Sequence, residues 1–211
     1  MTAGRMVAAC SIAGSDSGGG AGIQADLKTF VELGVFGLTV VTAVTAQNTR
    51  EVRAAWPLPP EAVRTQIETV AEGFAIGAWK TGMLGNAATV RAVAESLPEG
   101  AISVIDPVMV STSGHRLLEE DAISDLVEVL MPRASVVTPN IPEAEVLAGM
   151  RIEGVEGMAA AGWRILDLGA GAVVVKGGHL PGGEAVDILV EREGEMKVSG
   201  ERYPYAVHGS G

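Results

Sequence analysis

Apolar positions along this chain switch back and forth between two rhythms. Residues 7–12 form a continuous apolar run, as in a strand buried on both faces. Ile23, Leu27, Phe30 and Val31 then recur at helical spacing, and Gly34 is a natural stop. Residues 35–46, rich in Val and Thr, predict a second strand. Pro59-Pro60 introduces a helix with Val63, Ile67 and Val70 on one face. Residues 75–84 predict another strand, after which Asn86 can cap a helix carrying Val90, Val93, Ala94 and Leu97. A short strand over 101–105 ends at Asp106-Pro107. A helix with Ile123, Leu126, Val127 and Leu130 follows and stops near Pro132. Residues 135–138 predict a strand ending at Pro139-Asn140, followed by a short helix over 142–147 and a longer one around 158–168. The strand over 172–175 ends at Lys176-Gly177-Gly178. Residues 185–190 and 195–198 then alternate apolar with polar around Glu193-Gly194, which predicts an antiparallel hairpin.

Strands alternating with helices imply a mostly parallel sheet with helices on both faces. Ligands of such sheets sit beyond the carboxyl ends of the strands. The residues with chemistry to offer gather there: Ser15, Asp16, Gln47, Asn48, the segment 80–83, Asp106, Asn140, Lys176 and His179. Their convergence on one rim says more than any single motif.

The densest of these segments is 13–26, Ala-Gly-Ser-Asp-Ser-Gly-Gly-Gly-Ala-Gly-Ile-Gln-Ala-Asp. Glycines let backbone N–H groups approach a ligand, and a helix start adds unpaired donors and a positive dipole end. The stretch 20–25 fits the loose dinucleotide pattern. The acidic residue that pattern wants about 20 residues on is missing, since 41–47 contains no acid. The phosphate-loop pattern fails as well, because Gly19 is followed by Gly20 and Ala21 rather than Lys and a hydroxyl residue. What remains is a small-molecule site of another kind, or a tight turn that uses glycine only for backbone freedom.

Length and composition narrow this further. A chain of 211 residues suits one α/β domain, and 47% apolar residues with only 4% aromatics imply a core of Ala, Val, Leu and Ile. The net charge of −11 disfavours nucleic acid and anionic membrane as partners, so an anionic ligand would need a local cluster of donors. Cys10, the only cysteine, lies in an apolar run and reads as a packed, inert thiol, in keeping with a cytoplasmic location. No apolar window approaches the roughly 18 residues of a membrane helix. His115, His179 and His208 show no metal-ligand spacing.

Asp106 ends a strand; Asn140 and Glu143 stand three apart at a helix start; Lys176 precedes two glycines; the closing His208-Gly209-Ser210-Gly211 is a second glycine turn. Acids that hold Mg²⁺, a cation and backbone donors are the parts that phosphoryl transfer uses. The stretches AGSDSGGGAGIQADLKTF, TAVTAQNT, KTGMLG, DPVMVSTSG, TPNIPEAE and VVKGGH, with the final HGSG, resemble the ribokinase-like superfamily. Within it they resemble the hydroxymethylpyrimidine and phosphomethylpyrimidine kinases of thiamine biosynthesis. The resemblance implies a three-layer sandwich with a mostly parallel central sheet, helices on both faces and a C-terminal antiparallel hairpin. It treats residues 1–211 as one kinase domain.

It also implies ATP-dependent phosphorylation of 4-amino-5-hydroxymethyl-2-methylpyrimidine and of its monophosphate, with ATP and Mg²⁺ as cofactors; whether K⁺ assists is not fixed by the sequence. By position, Gly14, Asp26, Gln47, Met83 and Val110 would line the pyrimidine pocket. The Gln47 carboxamide could pair with a ring nitrogen and its neighbouring amine, and Met83 and Val110 would be apolar walls. Asn140 and Lys176 would serve ATP phosphate, Asp106 and Glu143 the metal, and Gly209, Ser210 and Gly211 an anion hole. Read without the family, Met83 is ordinary core, Asn140 and Glu143 are a helix cap with a first-turn acid, Asp106 is a strand-end turn and Lys176 is a solvated surface lysine. The family's glycine turn continues into a Cys or Asp that activates the substrate hydroxyl, so the expectation is that the full protein continues past Gly211; the catalytic base is unassigned. The family also commonly forms homodimers. The competing readings are a pyridoxal kinase of the same fold and a non-catalytic pyrimidine-binding protein.

Overall fold

The structure, a computed structural model, describes residues 7–110, 117–178 and 184–202. Six strands run parallel: β1 (Ala8–Asp16), β2 (Phe36–Gln47), β4 (Ile76–Thr81), β5 (Ser103–Ile105), β6 (Val136–Val137) and β7 (Ala172–Lys176). An antiparallel strand flanks one edge, β3 (Val52–Pro57), and an antiparallel hairpin the other, β8 (Glu184–Glu191) with β9 (Gly194–Glu201). The order across the sheet is β3-β2-β1-β4-β5-β6-β7-β8-β9. The helices are α1 (Gly22–Glu32), α2 (Pro60–Gly73), α3 (Ala87–Ser96), α4 (Ala122–Asp125), α5 (Ile141–Ala148) and α6 (Gly154–Leu166).

The chain leaves β1 toward β2 on one side and later resumes at β4 on the other, so β1 and β4 flank the point where the winding reverses. Right-handed crossovers in opposite directions place α1 and α2 on opposite faces. The contacts agree: α1 packs on β1 and β2, while α2 packs on α3, and α3 on α4. One apolar cluster runs through the molecule from Ile12 and Val40 through Ile67, Val93 and Ile105 to Val173 and Val190. Cys10 is fully buried within it, and burial pushes its thiol up to about 12, so it is inert as the sequence implied.

Two elements differ from the sequence expectation. No strand was expected at 52–57. The Asn48 side chain accepts from the amides of Arg50 and Glu51, and this turn folds β3 back against β2. Beyond the pairing, Gln66 of α2 takes the place of a neighbouring strand: its side chain accepts from Val41 N at 2.9 Å and donates to Val41 O at 3.1 Å. The single helix expected before Pro132 is instead α4, a wide π-turn over Leu126–Leu130 and a 3-10 turn over Met131–Arg133. Pro132 has no amide to continue an α-helical ladder, and the element tightens and ends there.

Candidate active site

The winding reverses between β1 and β4, whose carboxyl ends are where ligands of such sheets bind. Gly14 and Met83 meet there: a Cβ on Gly14 would stand 3.2 Å from Met83 Cε, so the glycine makes room for the thioether. Thr42 Oγ1 donates to Met83 O at 2.6 Å and fixes the segment that carries it. Met83 is only half-buried, which distinguishes it from core methionines such as Met131 and Met158. Val110 is 50% exposed. Gln47 ends β2, and its backbone is clasped by Ser17, whose Oγ donates to Gln47 O and accepts from Gln47 N. Thr45 Oγ1 donates to Gln47 Oε1 at 3.2 Å. Asp26, on α1, is held by Lys80 and Ser11, with Nζ to Oδ2 at 2.9 Å and Oγ to the same oxygen at 2.5 Å.

The glycine turn is organised differently from a phosphate cradle. Asp16 is 3% exposed, and its carboxylate accepts from the amides of Gly18, Gly20 and Ala21 at 2.7, 3.0 and 2.9 Å. Gly19 N donates to the Asp16 carbonyl. The donors that could have met a ligand are thus largely consumed by one buried acid. Gly22 closes the turn at a φ of +57°, and a Cβ there would sit 2.2 Å from Gly14 O. The turn's contribution is shape: it carries the chain from the end of β1 into α1 and so places Asp26. Sequence reasoning put Asp16 on the rim without a role. The signal was available in an Asp followed closely by Ser-Gly-Gly-Gly, an arrangement in which the carboxylate bonds its own downstream amides.

The rim beyond β5, β6 and β7 holds the acids and the cation. Asn140 and Glu143 form a reciprocal cap at the start of α5: Glu143 N donates to Asn140 Oδ1, and Asn140 N donates to Glu143 Oε2, both at 2.9 Å. The cap reading of this pair is therefore met, but it does not exhaust Glu143. That carboxyl is 5% exposed, and Met109 N reaches its second oxygen at 3.4 Å. Burial raises its pKa to about 7; the Asn140 amide opposes the rise, the nearby Asp106 charge adds to it, and Lys176 and the Met109 amide oppose it. Lys176 is no solvated surface lysine. Its Nζ lies 3.0 Å from Asp106 Oδ1, with both side chains more than two-thirds covered. Lys176 N also bonds Pro139 O, and Asn140 pairs with Lys176 in a parallel bridge, which draws the ends of β6 and β7 together.

Among the described residues no group of three or more His, Cys, Asp or Glu could hold a metal ion. Mg²⁺ does not demand such a cage; it uses one or two carboxylates and takes the rest from water and phosphate. Asp106 and Glu143 lie close enough for one charge to shift the other, and both are oxygen donors, so the set fits. Gly209, Ser210, Gly211 and the three histidines lie outside the described residues.

A doubly wound sheet whose reversal point and acid–lysine rim share one carboxyl edge is, by likeness to the solved kinases below, a small-molecule kinase of the ribokinase-like class. The phosphomethylpyrimidine kinase family model matches residues 16–211. The hydroxymethylpyrimidine/phosphomethylpyrimidine kinase of Bacillus subtilis is 44% identical over 210 residues, covering 96% of this chain and 76% of that protein. A crystal structure of phosphomethylpyrimidine kinase from Clostridium difficile superposes with a TM-score of 0.83 at 46% identity, over 90% of this chain and 83% of that one. Pyridoxal kinase from Staphylococcus aureus, in complex with AMP-PCP and pyridoxal, superposes with a TM-score of 0.86 at 32% identity, over 96% of this chain and 74% of that one. This chain belongs to the phosphomethylpyrimidine kinase family. Among the described residues no helix is long and apolar enough to cross a membrane.

Proposed function

We propose that this protein transfers a phosphoryl group from ATP to 4-amino-5-hydroxymethyl-2-methylpyrimidine and then to its monophosphate, as a step of thiamine biosynthesis. The observation that carries the reading is that the Gly14–Met83 contact and the Asp106–Lys176 pair stand on one edge of one parallel sheet, so a flat ring at the first lies along the rim from a nucleotide at the second. Mg·ATP, when bound, supplies the group to be moved and part of the positive charge that offsets it.

The chain's own residues do the rest. The Met83 thioether, resting on Gly14, and Val110 offer apolar walls for the heterocycle. Gln47 offers a donor and an acceptor side by side, a match for a ring nitrogen and its amine. Asp26 supplies a fixed carboxylate. Lys176, held by Asp106, stands ready to meet phosphate charge. Asp106 and Glu143 are the oxygen donors for Mg²⁺, and Asn140 fixes Glu143. No described residue is assigned the proton of the substrate hydroxyl; Gly209, Ser210 and Gly211 are assigned the anion hole by resemblance alone. Homodimer formation is carried from the family in the same way.

The pyridoxal kinase likeness supports a second activity on a ring that also carries a hydroxymethyl group. Steady-state kinetics with both substrates separates the readings. The pyrimidine is expected to have the higher kcat/KM, and Gln47→Ala is expected to lower that value by roughly tenfold to a hundredfold while affecting pyridoxal less. Failure of the protein with Mg·ATP to phosphorylate the pyrimidine would end the proposal.

A further inference from the structure

The sequence placed Lys80 on the rim within the segment 80–83 but gave it no role, and the structure builds it into a site. It sits on β4, and its register partner on β1 is Ser11, so both side chains leave the same face of the sheet, beneath α1. Both converge on a single atom, Oδ2 of Asp26, at 2.9 and 2.5 Å. Among the described residues Asp26 Oδ1 carries no hydrogen bond. The ion pair is largely covered, with Lys80 26% and Asp26 17% exposed. Its neighbour across β5 is the apolar Val104. Space has been left for the ammonium: a Cβ on Gly82 would stand 3.2 Å from Lys80 Nζ and 3.0 Å from Ala13 Cβ.

A covered lysine–carboxylate pair is weak evidence for stability, since desolvation offsets most of the attraction. Its value lies elsewhere. A lone carboxylate on a helix flank can rotate, and its two oxygens are equivalent. Two donors on one oxygen remove that freedom and make the other oxygen the acceptor that remains.

We propose that Lys80, assisted by Ser11, is a positioning residue: it locks the Asp26 carboxylate so that Oδ1 accepts a hydrogen bond from the bound heterocycle. The inference rests on the pyrimidine reading and adds to it a residue that acts on substrate only through Asp26. It also predicts a preference for rings that present a donor at that position, because a fixed anionic oxygen repels an acceptor.

A double-mutant cycle read by calorimetric binding tests it. Lys80→Met is expected to weaken binding of hydroxymethylpyrimidine by about tenfold or more, with affinity for an ATP analogue unchanged within about twofold. In an Asp26→Ala background the same substitution is expected to cost the pyrimidine nothing further. Ser11→Ala, which leaves the charges in place, is expected to weaken the pyrimidine by about threefold and carries the test if Lys80→Met does not fold. Pyrimidine binding unchanged in Lys80→Met and Ser11→Ala overturns the proposal. So does an equal loss with and without Asp26, which would mean that Lys80 meets the ligand itself, or a parallel loss of nucleotide affinity, which would mean a merely structural role. A wild-type protein that neither binds nor phosphorylates the pyrimidine would instead remove the functional reading, and this inference with it.

Discussion

The two halves of the carboxyl edge solve opposite problems. On the side of β1, β2 and β4, polar groups are tied off internally: Asp16 takes three amides, Ser17 clasps Gln47, and Lys80 neutralises Asp26. On the side of β5, β6 and β7, two carboxyls face one lysine, and Glu143 sits buried at an elevated pKa. The first half has its charges neutralised internally, keeps Asp26 Oδ1 as an acceptor for a ligand, and otherwise offers shape. The second carries unbalanced charge, which a cation and a polyphosphate can balance together. A site that must hold a flat, nearly neutral ring beside a highly charged nucleotide benefits from this division.

The sharpest way to break the comparison is at Lys176. Lys176→Met removes the cation and leaves Asp106 without its partner. We expect kcat/KM to fall by about 10³-fold, roughly 4 kcal/mol, as for other groups aimed at transition-state charge. Pyrimidine affinity measured without nucleotide should be unchanged. If that affinity falls as far as the rate, the two halves do not act separately.

The reverse cut is Asp16→Ala. It removes the shared acceptor of the Gly18, Gly20 and Ala21 amides, an acid only 3% exposed. Bonds to a charged acceptor contribute more than neutral ones, and a cost of about 3–4 kcal/mol follows, or a Tm lower by roughly 10 °C. Nucleotide affinity at 25 °C should survive. An unchanged Tm would show that the turn does not depend on the acid.

How much of this was legible beforehand follows the same division. The strands and helices were readable because each buries an unbroken or periodic apolar set, and the rim was readable because strand ends carry its chemistry. β3 was missed: Val52–Pro57 shows no apolar–polar alternation, and it is made by the Asn48 turn and by pairing with β2. The glycine turn was read as open to ligand because sequence shows glycines but not where a neighbouring carboxylate points. Asn140-x-x-Glu143 was legible as a cap, and so it folds; what the sequence could not show is that Met109 and the wall around it bury the acid. Lys80 was legible as part of the rim segment 80–83 but not as the partner of Asp26, a contact made only when α1 is laid over the sheet.

The buried acid sets a last, smaller test. Burial pushes the Glu143 carboxyl in the folded chain up to about 7 from its ordinary 4.5. Between those values the folded state holds a proton that the unfolded state has released, so stability falls as pH rises through that window, and the loss is complete above pH 7. A rise of that size corresponds to about 3 kcal/mol at most. Gln at this position cannot ionise, yet keeps an oxygen for the reciprocal cap. In Mg²⁺-free buffer, Glu143→Gln should match the parent near pH 5 and exceed it at pH 8 by about 2–3 kcal/mol, or roughly 5–10 °C in Tm. Adding Mg·ATP should narrow the gap at pH 8, because a ligand that binds the charged acid stabilises only the parent at that residue. Catalysis should be impaired in the same variant, since the charge that costs stability is the one offered to the metal. Tm curves that run parallel from pH 5 to 8 would mean that Glu143 is already satisfied, and the charge imbalance ascribed to this half of the edge would then rest on Asp106 alone.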